Sequence, residues 1–166
     1  MAYNYYPHWT IKLGDGHIPV TQPYEPIRIK WDTGFMDVVP PGVFEIESAS
    51  SCTSKFRNLL KLCVKSDIVY GTNTISAWRK AIKADLDFLL TVSDKIADRY
   101  QELYEDIVDS SEQADKNRAS KLRNLQKRNT IELKRLDARR KRVIKCSQIL
   151  DEYVNKYIMQ TKGNQK

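Results

Sequence analysis

The chain has 166 residues, of which 30% are charged and 41% apolar, and its formal net charge is +7. That length fits one ordinary domain, or one small domain plus an extended element, and the composition excludes a disordered tail and a membrane protein. No run approaches the roughly 18 apolar residues of a transmembrane helix, and the opening MAYNYYPHWTIKL lacks the regions of a secretory signal peptide. The expectation is a soluble intracellular chain, or one incorporated into a virion.

Residues 1–50 read as extended β and turn structure. Candidate strands are Trp9–Leu13, Ile27–Trp31 and Val43–Glu47, the last two with apolar residues on alternate positions. Turn signals separate them at Gly14-Asp15-Gly16, Pro23 to Pro26 and Pro40-Pro41-Gly42. Eight of the sixteen aromatics lie at or before Phe44, more than so short a region buries alone. Some must pack on the helical region or on a partner, and Tyr3, Tyr5, Tyr6 and Trp9 are the candidate docking aromatics.

Asp32-Thr33-Gly34 resembles the catalytic triplet of retroviral-type aspartic proteases, which implies a shared-proton carboxylate pair. The resemblance covers three residues, and Lys30, Trp31 and Phe35 depart from the flanking pattern. A strand-end turn accounts for the triplet, with Asp32 turning the chain and Gly34 supplying a positive φ. Gly14-Asp15-Gly16-His17 lacks the spacing and the Lys-Ser/Thr ending of a phosphate loop and reads as a hairpin turn. His8 and His17 have no serine or cysteine partner in a recognisable nucleophile context. Cys52, Cys63 and Cys146 are odd in number and lack paired spacing, which suits reduced, buried thiols rather than a disulfide framework or a zinc site. No catalytic residue, metal site or cofactor is assigned, and a non-enzymatic role is expected.

Residues 51–71 read as a short helix and connector. Phe56, Leu59, Leu60 and Cys63 recur at helical spacing, with Ser51 or Thr53 as cap over Ser51–Lys65, and Asp67–Asn73 connects onward. From Thr72 to Lys162 there is neither proline nor glycine, so residues 72–160 are free to be helical throughout. One stripe runs Ile75, Trp78, Ile82, Leu86, Leu89, Ile96, Tyr100, Leu103 and Ile107, with an imperfect slot near Val92–Ser93. A second runs Leu122, Leu125, Asn129, Leu133, Leu136, Arg140, Val143, Ser147, Leu150, Val154 and Tyr157. Both have the repeat of coiled-coil seams. Between them, residues 109–118 carry no large apolar side chain and read as a hairpin tip. Residues 161–166 read as a flexible tail.

Charge supports an antiparallel hairpin over one continuous rod. Residues 98–115 contain seven acids and one base, and residues 116–145 contain thirteen bases and two acids. Folding back sets Glu102 and Asp106 near Arg123 and Lys121, and Asp85 and Asp87 near Arg140 and Arg142. In a parallel dimer of rods, each acidic block would face its own copy. Asn129 is placed to fix register in the seam, and Arg140 to snorkel from it.

The expected fold class is α+β, mainly α: a small aromatic, Pro-rich N-terminal β region and a short helix, then a long antiparallel helical hairpin of coiled-coil type. Long hairpins with little globular mass brace or clamp neighbouring subunits. The leading expectation is therefore a structural component of a large assembly, a virus particle or phage head–tail complex among them, with other protein subunits as partners and self-association open. The alternative is a basic nucleic-acid-binding or ribonucleoprotein factor. Its candidate contacts with phosphate or an acidic partner are Lys127, Arg128, Lys134, Arg135, Arg139, Arg142 and Lys145. No membrane partner is expected.

Overall fold

The computed structural model describes residues 10–14, 16–19, 25–44, 48–110 and 115–159. The candidate docking aromatics Tyr3, Tyr5, Tyr6 and Trp9 lie outside them, as does residue 45–47 of the expected third strand.

Two separate antiparallel ribbons open the chain. Strand β1 (Thr10–Leu13) pairs with β2 (Gly16–Pro19), Ile11 opposite Ile18. Gly14 turns between them at φ 65°. The positive φ favours glycine there, and a Cβ would also meet Leu103 Cδ2 at 2.9 Å, so that side chain would have to shift. Strand β3 (Ile27–Trp31) pairs with β4 (Gly34–Val38) through a two-residue turn at Asp32-Thr33. Its inner pairs are Ile27–Val38 and Ile29–Met36, while Arg28 and Asp37 meet outside at 2.9 Å. Gly34 does not have positive φ, contrary to expectation: it is an extended strand residue opposite Trp31.

Val43 and Phe44 are not strand residues. They close a short helix, α1 (Pro40–Phe44), and are both buried. Adjacent buried side chains suit a helical turn and not a half-buried strand, where neighbours point to opposite faces. Helix α2 (Ala49–Tyr70) is longer than the expected 51–65. Ser48 is its N-cap and accepts from Ser51 N at 3.3 Å, and Gly71 at φ 68° is its C-cap.

Gly71, Thr72 and Asn73 alone connect α2 to α3 (Thr74–Ser110). The Asp67 carboxylate pins this corner. It accepts from Thr74 N at 2.8 Å and Ile75 N at 3.0 Å, two donors that the first turn of α3 leaves without helical partners. It also accepts from the hydroxyls of Thr72 and Thr74, at 2.6 and 2.7 Å. Helix α4 (Asp115–Tyr153) returns antiparallel along α3 and ends in a π-helical turn over Val154–Met159. At 37 and 39 residues, the arms are roughly 55–60 Å long.

The core sits at the base of this hairpin, where α1 and α2 pack on the start of α3 and the end of α4. Trp78 is fully buried at its centre. Its ring meets Phe56 edge-on at 5.1 Å and Phe44 at 6.2 Å, and its Nε1 donates to Cys63 Sγ at 3.3 Å. All three cysteines are buried free thiols. Cys52 on α2 and Cys146 on α4 sit 3.8 Å apart, and the Cys52 thiol also donates to the Val43 carbonyl.

Candidate docking face of the helical hairpin

The seam between α3 and α4 is a regular alternation of three- and four-residue steps. On α3 it runs Ile75, Trp78, Ile82, Asp85, Leu89, Val92 and Ile96, all buried. On α4 it runs Leu125, Asn129, Glu132, Leu136, Arg139, Val143, Cys146, Leu150 and Tyr153, all buried except half-buried Asn129. Three charged side chains therefore occupy slots that a search for leucines passes over. Arg139 and Asp85, both at 0% exposure, pair across the seam at 3.4 Å. Glu132, also at 0%, pairs with Arg128 at 2.9 Å and accepts from Arg135 at 3.4 Å.

These slots correct the expected stripe. Of the expected seam residues, Ile82, Leu89, Ile96, Leu125, Leu136, Val143 and Leu150 are buried. Leu86, Leu103, Ile107 and Leu122 are half-buried. Leu133 is 38% exposed and Arg140 is exposed. Arg139, not Arg140, faces Asp85. Tracing leucines slips one residue at Asp85, Glu132, Arg139 and Cys146 and lands on Leu86, Leu133, Arg140 and Ser147, which line two clefts on the flank of the seam.

That flank is the open face of the hairpin. The β1–β2 ribbon lies on the other side, near Arg99, Leu103 and Arg128. Leu13 O accepts from Arg99 Nε on α3, and Lys12 O from Arg128 Nε on α4, both at 3.3 Å, so the ribbon straddles the two helices. On the open side, two clefts lie in line between the helices. One of about 260 Å³ is bounded by Arg79, Leu86, Ser147 and Asp151, and one of about 320 Å³ by Leu90, Ser93, Leu133 and Arg140. Leu90 is 59% exposed and Tyr104 41%. Tyr100 and Tyr104 stack at 6.4 Å farther toward the tip. Asn129 Oδ1 is buried without a hydrogen-bond partner among the described residues.

The seven candidate phosphate contacts do not form one surface. Arg139 is enclosed with Asp85, and Arg142, at 8% exposure, donates from Nε to the Phe44 carbonyl at 3.0 Å. Both are removed as surface contacts, because each serves the interior. Arg128 and Arg135 are partly exposed but engaged with Glu132. Lys127, Lys134 and Lys145 are exposed on α4.

The thiols report the same enclosed base. Burial pushes the Cys63 thiol up to about 11. In the Cys52–Cys146 pair, the hydrogen bond to Cys146 and the nearby Arg142 and Arg139 pull Cys52 down, while the hydrogen bond to Cys52 and burial push Cys146 up. Among the described residues, no group of three or more His, Cys, Asp or Glu side chains is arranged to hold a metal ion. Among the same residues, no helix is long and apolar enough to cross a membrane. No protein family, no curated protein and no solved structure matches this chain.

Proposed function

We propose that the chain is a non-enzymatic structural component of a larger assembly, bracing neighbouring protein subunits through the open face of its helical hairpin. The observation that carries this reading is the exposed apolar row beside the clefts of the hairpin. The β1–β2 ribbon lies on the opposite side, near Arg99 and Arg128, whereas Leu90, Leu133 and Tyr104 stand exposed along the clefts. Large apolar side chains aligned beside grooves mark surfaces that gain from being covered. A rigid arm roughly 55–60 Å long also spans more than one neighbour of ordinary domain size. A virus particle or phage head–tail complex is the setting we favour, by analogy of architecture. The test is native mass spectrometry of assemblies isolated from the source. The chain should appear in fixed stoichiometry with other subunits, and Leu90→Asp with Leu133→Asp should release it while its helicity is kept. A chain that fractionates alone, in every preparation, contradicts the reading.

A second reading has one observation in its favour. Lys127, Lys134 and Lys141 recur every seven residues on the exposed side of α4, a linear cationic row of the kind that tracks phosphates. A filter-binding titration decides it. Contact with three phosphates of duplex DNA gives a log–log salt slope of about −2.7, and an absence of complex at low salt removes the reading.

A further inference from the structure

We infer that the open face of the hairpin is a self-association surface, occupied by a second copy of this chain with its tip pointing the same way. The inference deepens the bracing role and rests on it: the first subunit the hairpin braces is its own copy.

The open flank carries a second repeat. Leu86, Leu90, Ser93, Ala97, Tyr100 and Tyr104 follow each other by steps of four and three, as the buried seam does. Each is at least partly accessible. Such a stripe beside a groove on an antiparallel helix pair is one half of a four-helix bundle, and a second pair laid on it completes the core. Leu90 and Leu133 border the same cleft and so stand at the same height along the arm. A two-fold axis parallel to the helices leaves every residue at its own height. It therefore sets Leu90 of one copy over Leu133 of the other, in both directions at once.

Charge selects both the occupant and its orientation. Residues 98–109 hold five acids and one base, and residues 116–128 hold six bases and no acid. Antiparallel folding places these two stretches side by side within one chain. The parallel two-fold also places the acidic stretch of each copy over the basic stretch of the other, so acidic and basic arms alternate around the bundle. Reversing the second copy would lay α4 on α4, with Lys121 and Arg123 brought toward the cluster Arg139-Arg140-Lys141-Arg142. Like charges at that closeness oppose association. The mixed pattern is thus self-complementary in one orientation only.

The experiment is sedimentation equilibrium of the full chain, with pulsed-electron distance measurement between labels at Lys121→Cys. The expected species has twice the 19.3 kDa chain mass, and rising salt loosens it, since opposite charges are screened. Leu90→Asp should weaken self-association at least about 30-fold, as truncation of a central contact does, with an unchanged helical spectrum. Should Leu90→Asp lose helicity, Tyr104→Glu, at an exposed site nearer the tip, takes its place with the same expected loss. Labels at position 121 should lie within about 20 Å, since the two-fold keeps them at one height across a bundle whose neighbouring axes are about 10 Å apart, whereas a reversed copy, with Lys121 near Arg140, would separate them by roughly 30 Å along the axis. A chain that is monomeric over the whole concentration range overturns the inference, whether its own N-terminal segment or another protein takes the face. A dimer that survives both variants, or one with the longer distance, overturns it as well. A monomer that still enters a larger assembly through this face overturns the homodimer alone and leaves the bracing role standing.

Discussion

Arg139 and Asp85 are the residues on which the hairpin register turns. Both are fully buried, and they meet at 3.4 Å between the two long helices. A buried pair contributes little net stability, because desolvation offsets the attraction, but breaking it leaves a charge stranded in the seam. Arg139→Ala should therefore cost about 3–5 kcal/mol, whereas Asp85→Leu combined with Arg139→Met should be neutral or stabilising. Chemical denaturation of the parent and these two variants checks this, and equal losses in the single and double variants would contradict it. Cys63 yields a pH prediction. Its thiol keeps its proton to about pH 11 in the folded chain against an ordinary value of 9.0. The unfolded chain ionises first, so the stability linked to this thiol is complete below pH 9 and is lost as pH rises toward 11. The loss amounts to about 2–3 kcal/mol. Cys63→Ala should flatten that part of the stability profile relative to the parent, measured by urea unfolding across pH 8 to 11.

At the scale of elements, the α2–α3 corner depends on one carboxylate. Asp67 accepts from two backbone amides and two hydroxyls there. Asp67→Ala should cost about 2 kcal/mol, since it removes a charged helix cap. Thermal unfolding reads the change, and an unaltered midpoint would show that the corner holds without its cap. The two long helices were legible from the run without proline or glycine; of the expected tip, residues 111–114 lie outside the described residues. The seam was legible only in part. Leucine spacing locates Leu125, Leu136, Val143 and Leu150, but Asp85, Glu132 and Arg139 are polar occupants of seam slots. They are tolerated because each finds an opposite charge: Glu132 in Arg128 and Arg135 on its own helix, and Asp85 and Arg139 in each other across the seam, a pairing that no single-helix pattern reveals. Strands β2 and β4 were hidden for a different reason. GHIP carries a glycine and a proline, and in GFMDV the inward residues Met36 and Val38 become recognisable only once β3 lies beside them. Helix α1 was masked by Pro40-Pro41-Gly42, a turn signal that here starts a helical turn, since proline fits the first turn of a helix.

Across the whole molecule, the charge asymmetry serves two ends. Part of the basic arm is consumed inside: Arg139 holds Asp85, Arg142 holds the Phe44 carbonyl, and Arg128 ties Glu132 to the β1–β2 ribbon. The remainder faces outward on α4, where Lys127, Lys134 and Lys141 form an exposed row. Apolar exposure is divided as well. Leu62, Ile68 and Val69 are exposed on α2 at the base, whereas Leu90, Leu133 and Tyr104 follow the open face of the arm. Docking belongs to the arm, and none to the base. Hydroxyl-radical footprinting of the chain, free and within its native assembly, compares these two sets of side chains directly. Leu90, Leu133 and Tyr104 should lose most of their reactivity on assembly while Leu62, Ile68 and Val69 keep theirs. Undiminished modification of Leu90, Leu133 and Tyr104 in the assembled state would contradict the docking role of the hairpin.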